Sequence, residues 1–135
     1  MNAKTAYSPP IPVKPQLIID ADLYPRLLAV AEGARKQVPE LADQLIEEIE
    51  RAKLCAAGEM PANVVTIGST VTFRDGDRTA TVRVVMPHEA DVDQGRVSVV
   101  TPVGAALLGL AAGQKIIWEM PDGREKLLEV LDVRQ

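Results

Sequence analysis

The stretch PVGAALLGL, residues 102–110, decides how the second half of this chain folds. Thr101 in front of it can cap a helix, Pro102 suits the first helical position, and the alanine- and leucine-rich run that follows predicts a short helix bracketed by Gly104, Gly109 and Gly113. Around it the pattern is different. Short β-branched runs at 64–67, 71–73, 79–86, 97–100, 115–120 and 126–133 predict strands, with turns at Gly68-Ser69, Asp75-Gly76 and Asp122-Gly123. A sheet of five or six strands needs an apolar cover, and Ala105, Leu107, Leu108 and Leu110 on the short helix can supply it. Residues 59–135 are therefore expected to form an α+β domain with an antiparallel sheet.

Upstream the period changes to helical. Leu23, Leu27, Val30, Ala31 and Ala34 recur on one face, predicting a helix over 23–36 with Asp20 or Asp22 as its cap and Pro25 within its first turn. Gln37 and Val38 then lead into Pro39, which suits the start of a second helix, with Glu40 and Asp43 near its positive end. Ala42, Leu45, Ile46, Ile49 and Ala52 form its apolar stripe, Glu47 and Arg51 have i,i+4 spacing, and Gly58 with Pro61 marks its expected end. Two helices joined by a few residues run antiparallel, so 17–58 is expected to be a short helical hairpin with arms of ~20 to 25 Å. Residues 1–16 hold Pro9, Pro10, Pro12 and Pro15 without a helical period and are expected to be an extended lead-in.

Composition narrows the chemistry. A chain of 135 residues that is 47% hydrophobic and 25% charged lies in the globular range. It has no run near the ~20 apolar residues that span a bilayer, and a cytoplasmic home is the default expectation. Cys55 and His88 are the only residues of their types, which excludes an intrachain disulfide and leaves a zinc site or a nucleophile–histidine couple resting on one loop histidine. The net charge of −4 is spread over both halves, so no basic footprint for sequence-specific DNA binding is present. The glycines near Pro102 match neither a dinucleotide fingerprint nor a P-loop. No metal, cofactor or catalytic residue is expected. Trp118 is expected to be core or half-buried and Cys55 to be inert packing.

The run PVGAALLGLAAGQKIIWEMPDG, with CAAGEMPANVVTIGSTVTF at 55–73 and the two helices ahead of it, resembles the C-terminal domain of the bacterial Gre transcript-cleavage factors and, within that family, the Gre-related regulators of nucleoside diphosphate kinase. The similarity spans about residues 17–133. The ordered Pro-x-Gly helix start, Gly-Gln turn and Pro-x-Gly hairpin make it specific, and they single out Pro102, Gly104, Ala106, Leu107, Gly109, Gly113, Pro121 and Gly123 as family residues whose role is mainly structural.

The resemblance implies an FK506-binding-protein-like fold for 59–135 and docking on RNA polymerase near its secondary channel. Gre factors send a long coiled coil down that channel, and acidic residues at its tip help hold a catalytic magnesium ion. Here the arms are much shorter. The tip residues Gln37, Val38, Pro39, Glu40 and Asp43, together with the loop at 87–95, are the expected partner contacts, and transcript cleavage is not expected. The family name brings nucleoside diphosphate kinase as an alternative partner. The fold resemblance also brings prolyl isomerisation, which needs an aromatic pocket that Tyr7, Tyr24, Phe73 and Trp118 are too few to build.

Overall fold

The computed structural model describes residues 15–119 and 122–135. The expected lead-in falls almost wholly outside them, as does Pro121. In chain order the elements are β1 (Ile18–Asp20), α1 (Tyr24–Gly33), α2 (Pro39–Glu50), β2 (Lys53–Cys55), β3 (Thr70–Asp75), β4 (Arg78–Val85), β5 (Arg96–Ser98), α3 (Pro102–Leu107), β6 (Lys115–Glu119) and β7 (Glu125–Arg134). The class is α+β.

Helix α1 carries Pro25 in its first turn as expected, but neither aspartate caps it: the Asp20 carboxylate instead accepts from the Asp22 backbone N–H at 2.8 Å, closing a turn before the helix. Leu27 and Ala31 are its buried residues. Helix α2 begins at Pro39, and Leu41, Ala42, Leu45, Ile46 and Ile49 form its buried face. It stops at Glu50, well before Gly58. The chain there is drawn into β2, which pairs in parallel with β1 through Lys53 N–H to the Leu17 carbonyl and Ala21 N–H to the Cys55 carbonyl, both 2.8 Å. Three residues are too short for period-2 patterning to announce a strand, so tertiary pairing overrides the local reading. The expected Glu47–Arg51 pair is replaced by Glu48–Arg51 at i,i+3.

The main sheet has the order β5-β4-β3-β7-β6. Its β3–β4, β3–β7 and β6–β7 pairs are antiparallel, with a bulge between Thr72 and Phe73. The expectation of a wholly antiparallel sheet fails at one edge, where β4 and β5 run parallel with Arg83 opposite Arg96. The connection between them holds two 3₁₀ turns, Pro87–Glu89 and Val92–Gln94, and is long enough to carry the chain back to the start of the strand. Segment 64–67 is not a strand of this sheet. Val64 bridges Ala111, and Val65 exchanges backbone hydrogen bonds with Leu110 and Gly109.

Helix α3 starts as the sequence requires, with the Thr101 hydroxyl accepting from Gly104 N–H at 3.2 Å and Pro102 in its first turn. It ends at Leu107 and packs against β5, β6 and β7. Leu27, Ala31, Leu45 and Ile49 from the helical pair lie in the same apolar cluster as Val71, Phe73, Trp118 and Val130 from the sheet and Ala105 to Leu108 from the short helix. One core therefore supports both parts. Two helices of 10 and 12 residues would be marginal alone, and burial of one face against the rest of the chain offsets that.

Candidate functional site

The α1–α2 connection is built from main-chain hydrogen bonds of the frayed helix end: Gln37 and Val38 both donate to the Ala34 carbonyl, and Val38 accepts from Ala42 N–H as α2 starts. Gln37, Val38, Pro39, Glu40 and Asp43 are all exposed, so the five expected contact residues share one accessible end of the helical pair. Val38 is an apolar side chain left 38% accessible there.

The two acidic residues are not equivalent. The Asp43 carboxylate accepts from the Arg35 Nε–H at 2.8 Å, an ion pair that closes the connection from α1 to α2. Hydrogen bonding to Asp43 is the first cause that holds the Arg35 guanidinium above its already high usual value, with the charge of Asp43 acting in the same direction. Glu40 lies in the first turn of α2, where the helix dipole favours a carboxylate. Among the described residues, no three of the metal-ligating types come together in a cluster. Arg35 was not singled out by sequence spacing, because it lies eight residues from Asp43 on another helix.

The second exposed segment lies between β4 and β5. Asp91 caps the Val92–Gln94 turn by accepting from Asp93 N–H at 3.1 Å, and Gly95 takes a positive φ of 72° to close it. This places Val92 outward with 83% of its surface accessible, flanked by Asp91 and Asp93. His88 sits in the neighbouring 3₁₀ turn and is exposed, in keeping with a solvated loop histidine.

Of the family residues, Gly104, Ala106, Leu107 and Gly109 are buried, Pro102 is half-buried, and Gly113 and Gly123 are exposed at turns. Pro102 opens α3. A Cβ at Gly104 would collide with the Ser98 carbonyl oxygen, so only glycine lets α3 approach β5 this closely. Gly109 has φ +83°, its missing Cβ would lie 2.9 Å from the Leu17 Cβ, and its carbonyl accepts from Ile18 N–H at 3.2 Å. The strand that leads into α1 is thus seated directly on the end of PVGAALLGL. Gly113 donates to the Val130 carbonyl at 2.8 Å, and Gly123 turns the chain between β6 and β7, both with positive φ. Trp118 is 1% exposed and Cys55, on β2 instead of a helix, donates its thiol to the Glu59 carbonyl.

Residues 60–135, which include every one of these glycines, match the family model described as transcription elongation factor GreA/GreB, C-terminal. The chain belongs to the GreA/GreB family. Within that family it is 45% identical over 95 residues to the regulator of nucleoside diphosphate kinase of Escherichia coli K12, a match covering 69% of this chain and 70% of that protein. It is 36% identical over 107 residues to transcription elongation factor GreA of Clostridioides difficile, covering 78% and 67%. Among solved structures, the prokaryotic transcription elongation factor GreA/GreB from Nitrosomonas europaea superposes with a TM-score of 0.69 at 32% identity, over 90% of this chain and all of that one. The names of these family members are those of transcription factors and a regulator. Among the described residues no helix is long and apolar enough to cross a membrane.

Proposed function

We propose that this GreA/GreB-family chain is a cytoplasmic regulator of transcription elongation that docks on RNA polymerase near its secondary channel and occupies the place of a Gre factor without stimulating transcript cleavage. In this reading residues 17–58 act as a short helical hairpin, residues 59–135 as an FK506-binding-protein-like domain that holds the rim, and residues 1–16 as a lead-in. Gln37, Val38, Pro39, Glu40 and Asp43 at the hairpin tip make the partner contact, helped by the loop at 87–95, and the family residues Pro102 to Gly123 serve the fold.

The observation that carries the reading is the size and chemistry of the tip. At 1.5 Å per residue, α1 and α2 reach only ~15 and ~18 Å, too short to carry a carboxylate deep into a channel. Asp43 is already engaged by Arg35, which leaves Glu40 as the sole tip carboxylate without such a partner among the described residues. A hard cation needs several oxygen ligands, and one free carboxylate is a poor share of them.

The test is a competition on core RNA polymerase and on stalled elongation complexes. The chain is expected to bind core enzyme, to reduce GreA-stimulated cleavage as its concentration rises, and to give no cleavage alone. Cleavage that is lost in the Glu40→Ala, Asp43→Ala double variant would overturn the reading. The name of the Escherichia coli relative supports nucleoside diphosphate kinase as the alternative partner. A pull-down in which that enzyme, and not polymerase, is retained selects it. Prolyl isomerisation draws no support, because Phe73 and Trp118 are buried in the core.

A further inference from the structure

At the parallel edge of the sheet, Arg83 on β4 and Arg96 on β5 are register partners, which places both side chains on the same face of neighbouring strands ~4.8 Å apart. Like charges set opposite each other in a sheet disfavour it. The fold keeps both and holds each in place. Arg83 donates its Nε–H to the Gly68 carbonyl at 3.1 Å, and Arg96 donates its Nε–H to the Glu89 carbonyl at 3.0 Å. Each planar fork is thereby anchored through Nε, and its terminal amino groups remain as donors. Arg96 has a loose acidic neighbour, Asp91, at 3.7 Å, whereas Arg83 has no carboxylate within ion-pair distance among the described residues. The two arginines line a concavity of about 350 Å³ with Ile67, Gly68, Val85 and Glu89. That volume is at the lower end of small-ligand sites. Ile67 and the buried Val85 supply apolar lining, and Gly68 accepts the Arg83 Nε–H through its carbonyl.

We infer that this pocket binds a small phosphate-bearing anion, with two oxygens of one phosphate group bridging the Arg83 and Arg96 guanidinium groups. The bound charge relieves the repulsion between the register partners, and the paired N–H donors match the geometry of a phosphate better than that of a single point charge. Glu89 is the one carboxylate that lines the pocket, and it sets the affinity by opposing the ligand. The site lies at the sheet edge beside the 87–95 loop, and its occupancy is read on the free chain.

The full chain is titrated with inorganic pyrophosphate at constant ionic strength maintained with sodium chloride, and the arginine Nε–Hε resonances are followed by NMR. Saturable shifts of Arg83 and Arg96 are expected. Arg83→Gln and Arg96→Gln are each expected to weaken binding ~10-fold or more, the loss that corresponds to a hydrogen bond to a charged group. Arg83→Lys should retain part of the affinity, and Glu89→Gln should tighten binding, a gain that a purely structural role for these residues would not produce. Folding of each variant is checked by its amide spectrum. Acetate, titrated in parallel, separates a phosphate site from a general carboxylate site. Equal affinity for acetate and pyrophosphate, absence of saturation, or unchanged binding in both Arg→Gln variants overturns the assignment.

Discussion

Segment 102–110 and the α1–α2 connection have opposite surroundings. In the first, every residue from Gly104 to Leu110 is buried; a Cβ at Gly104 would meet the Ser98 main chain, and one at Gly109, already at positive φ, would meet the Leu17 Cβ. In the second, residues 35–40 are all exposed and an ion pair between Arg35 and Asp43, with side chains 52% and 63% accessible, spans the connection. The difference teaches that the residues by which this family is most readily recognised are held by packing, whereas those available to a partner are held loosely. Substitutions should therefore separate stability from docking according to which region they enter.

The sharpest way to break the comparison is to enter the buried region. Gly104→Val would force branched methyl groups into the Ser98 main chain, where even a single Cβ has no room. Overpacking of this kind costs about 3 kcal/mol, and in a domain of this size each kcal/mol lowers the melting point by several degrees, so a fall of ~10 °C is expected in thermal unfolding. A Gly104→Val variant that melts with the wild type would show that α3 can slide on β5, and that the glycine marks something other than close approach. A parallel loss of polymerase binding would then follow from unfolding and vanish at low temperature.

An intermediate effect is expected at Glu48, which lies in the helical pair but belongs by burial with the first region. Its carboxylate is 1% exposed and accepts from Arg51 Nε–H at 2.8 Å and from an Arg51 terminal amino group at 2.7 Å. The Arg51 guanidinium is held above its usual value chiefly by that hydrogen bonding. A raised arginine value keeps the group charged throughout the range in which the protein is handled, so the pair contributes uniformly across neutral and mildly alkaline pH. Glu48→Ala should cost about 2 kcal/mol in urea unfolding, and Glu48→Gln, which keeps one acceptor, about half as much. Equal loss in both variants would show that the negative charge, and not the acceptor geometry, stabilises the end of α2.

The contrast also explains how much could be read before the coordinates. Thr101, Pro102 and the glycines act on their immediate neighbours, and a cap, a first-turn proline and a positive φ are written into adjacent residue types, so the position of α3 and the turn at Gly123 were legible. The helical faces of α1 and α2 were legible for the same reason of local period. What escaped needed a partner distant in the chain. β2 exists because Leu17 and Cys55 offer main-chain groups to each other's segments, and Lys53-Leu54-Cys55 has no strand pattern of its own. The parallel β4–β5 edge depends on the path of residues 86–95, and the burial of Glu48 has no signal in residue type, because glutamate is rarely buried. At the tip, exposure of Gln37 to Glu40 followed from polarity and the turn, but the capture of Asp43 by Arg35 joins two helices and has no signal in spacing.

The smallest effect on stability, and the most informative about docking, belongs to that captured pair. Exposed ion pairs contribute little because water and salt screen them, so Arg35→Ala is expected to leave the melting temperature within error of the wild type. The exchange Arg35→Asp with Asp43→Arg keeps the two signs adjacent while moving each to the other helix, so it should also melt normally. If the tip meets a partner through its charge pattern, this exchange should reduce competition with GreA on core polymerase more than Arg35→Ala does, because it presents a cation where the partner expects an anion. If both variants compete like the wild type, the contact is made by Val38 and Pro39 or lies elsewhere, and the tip carboxylates are surface charge. If instead Arg35→Ala melts early, the tip is a structural clamp, and the division between a packed region and a loosely held one fails at the place where it was drawn most clearly.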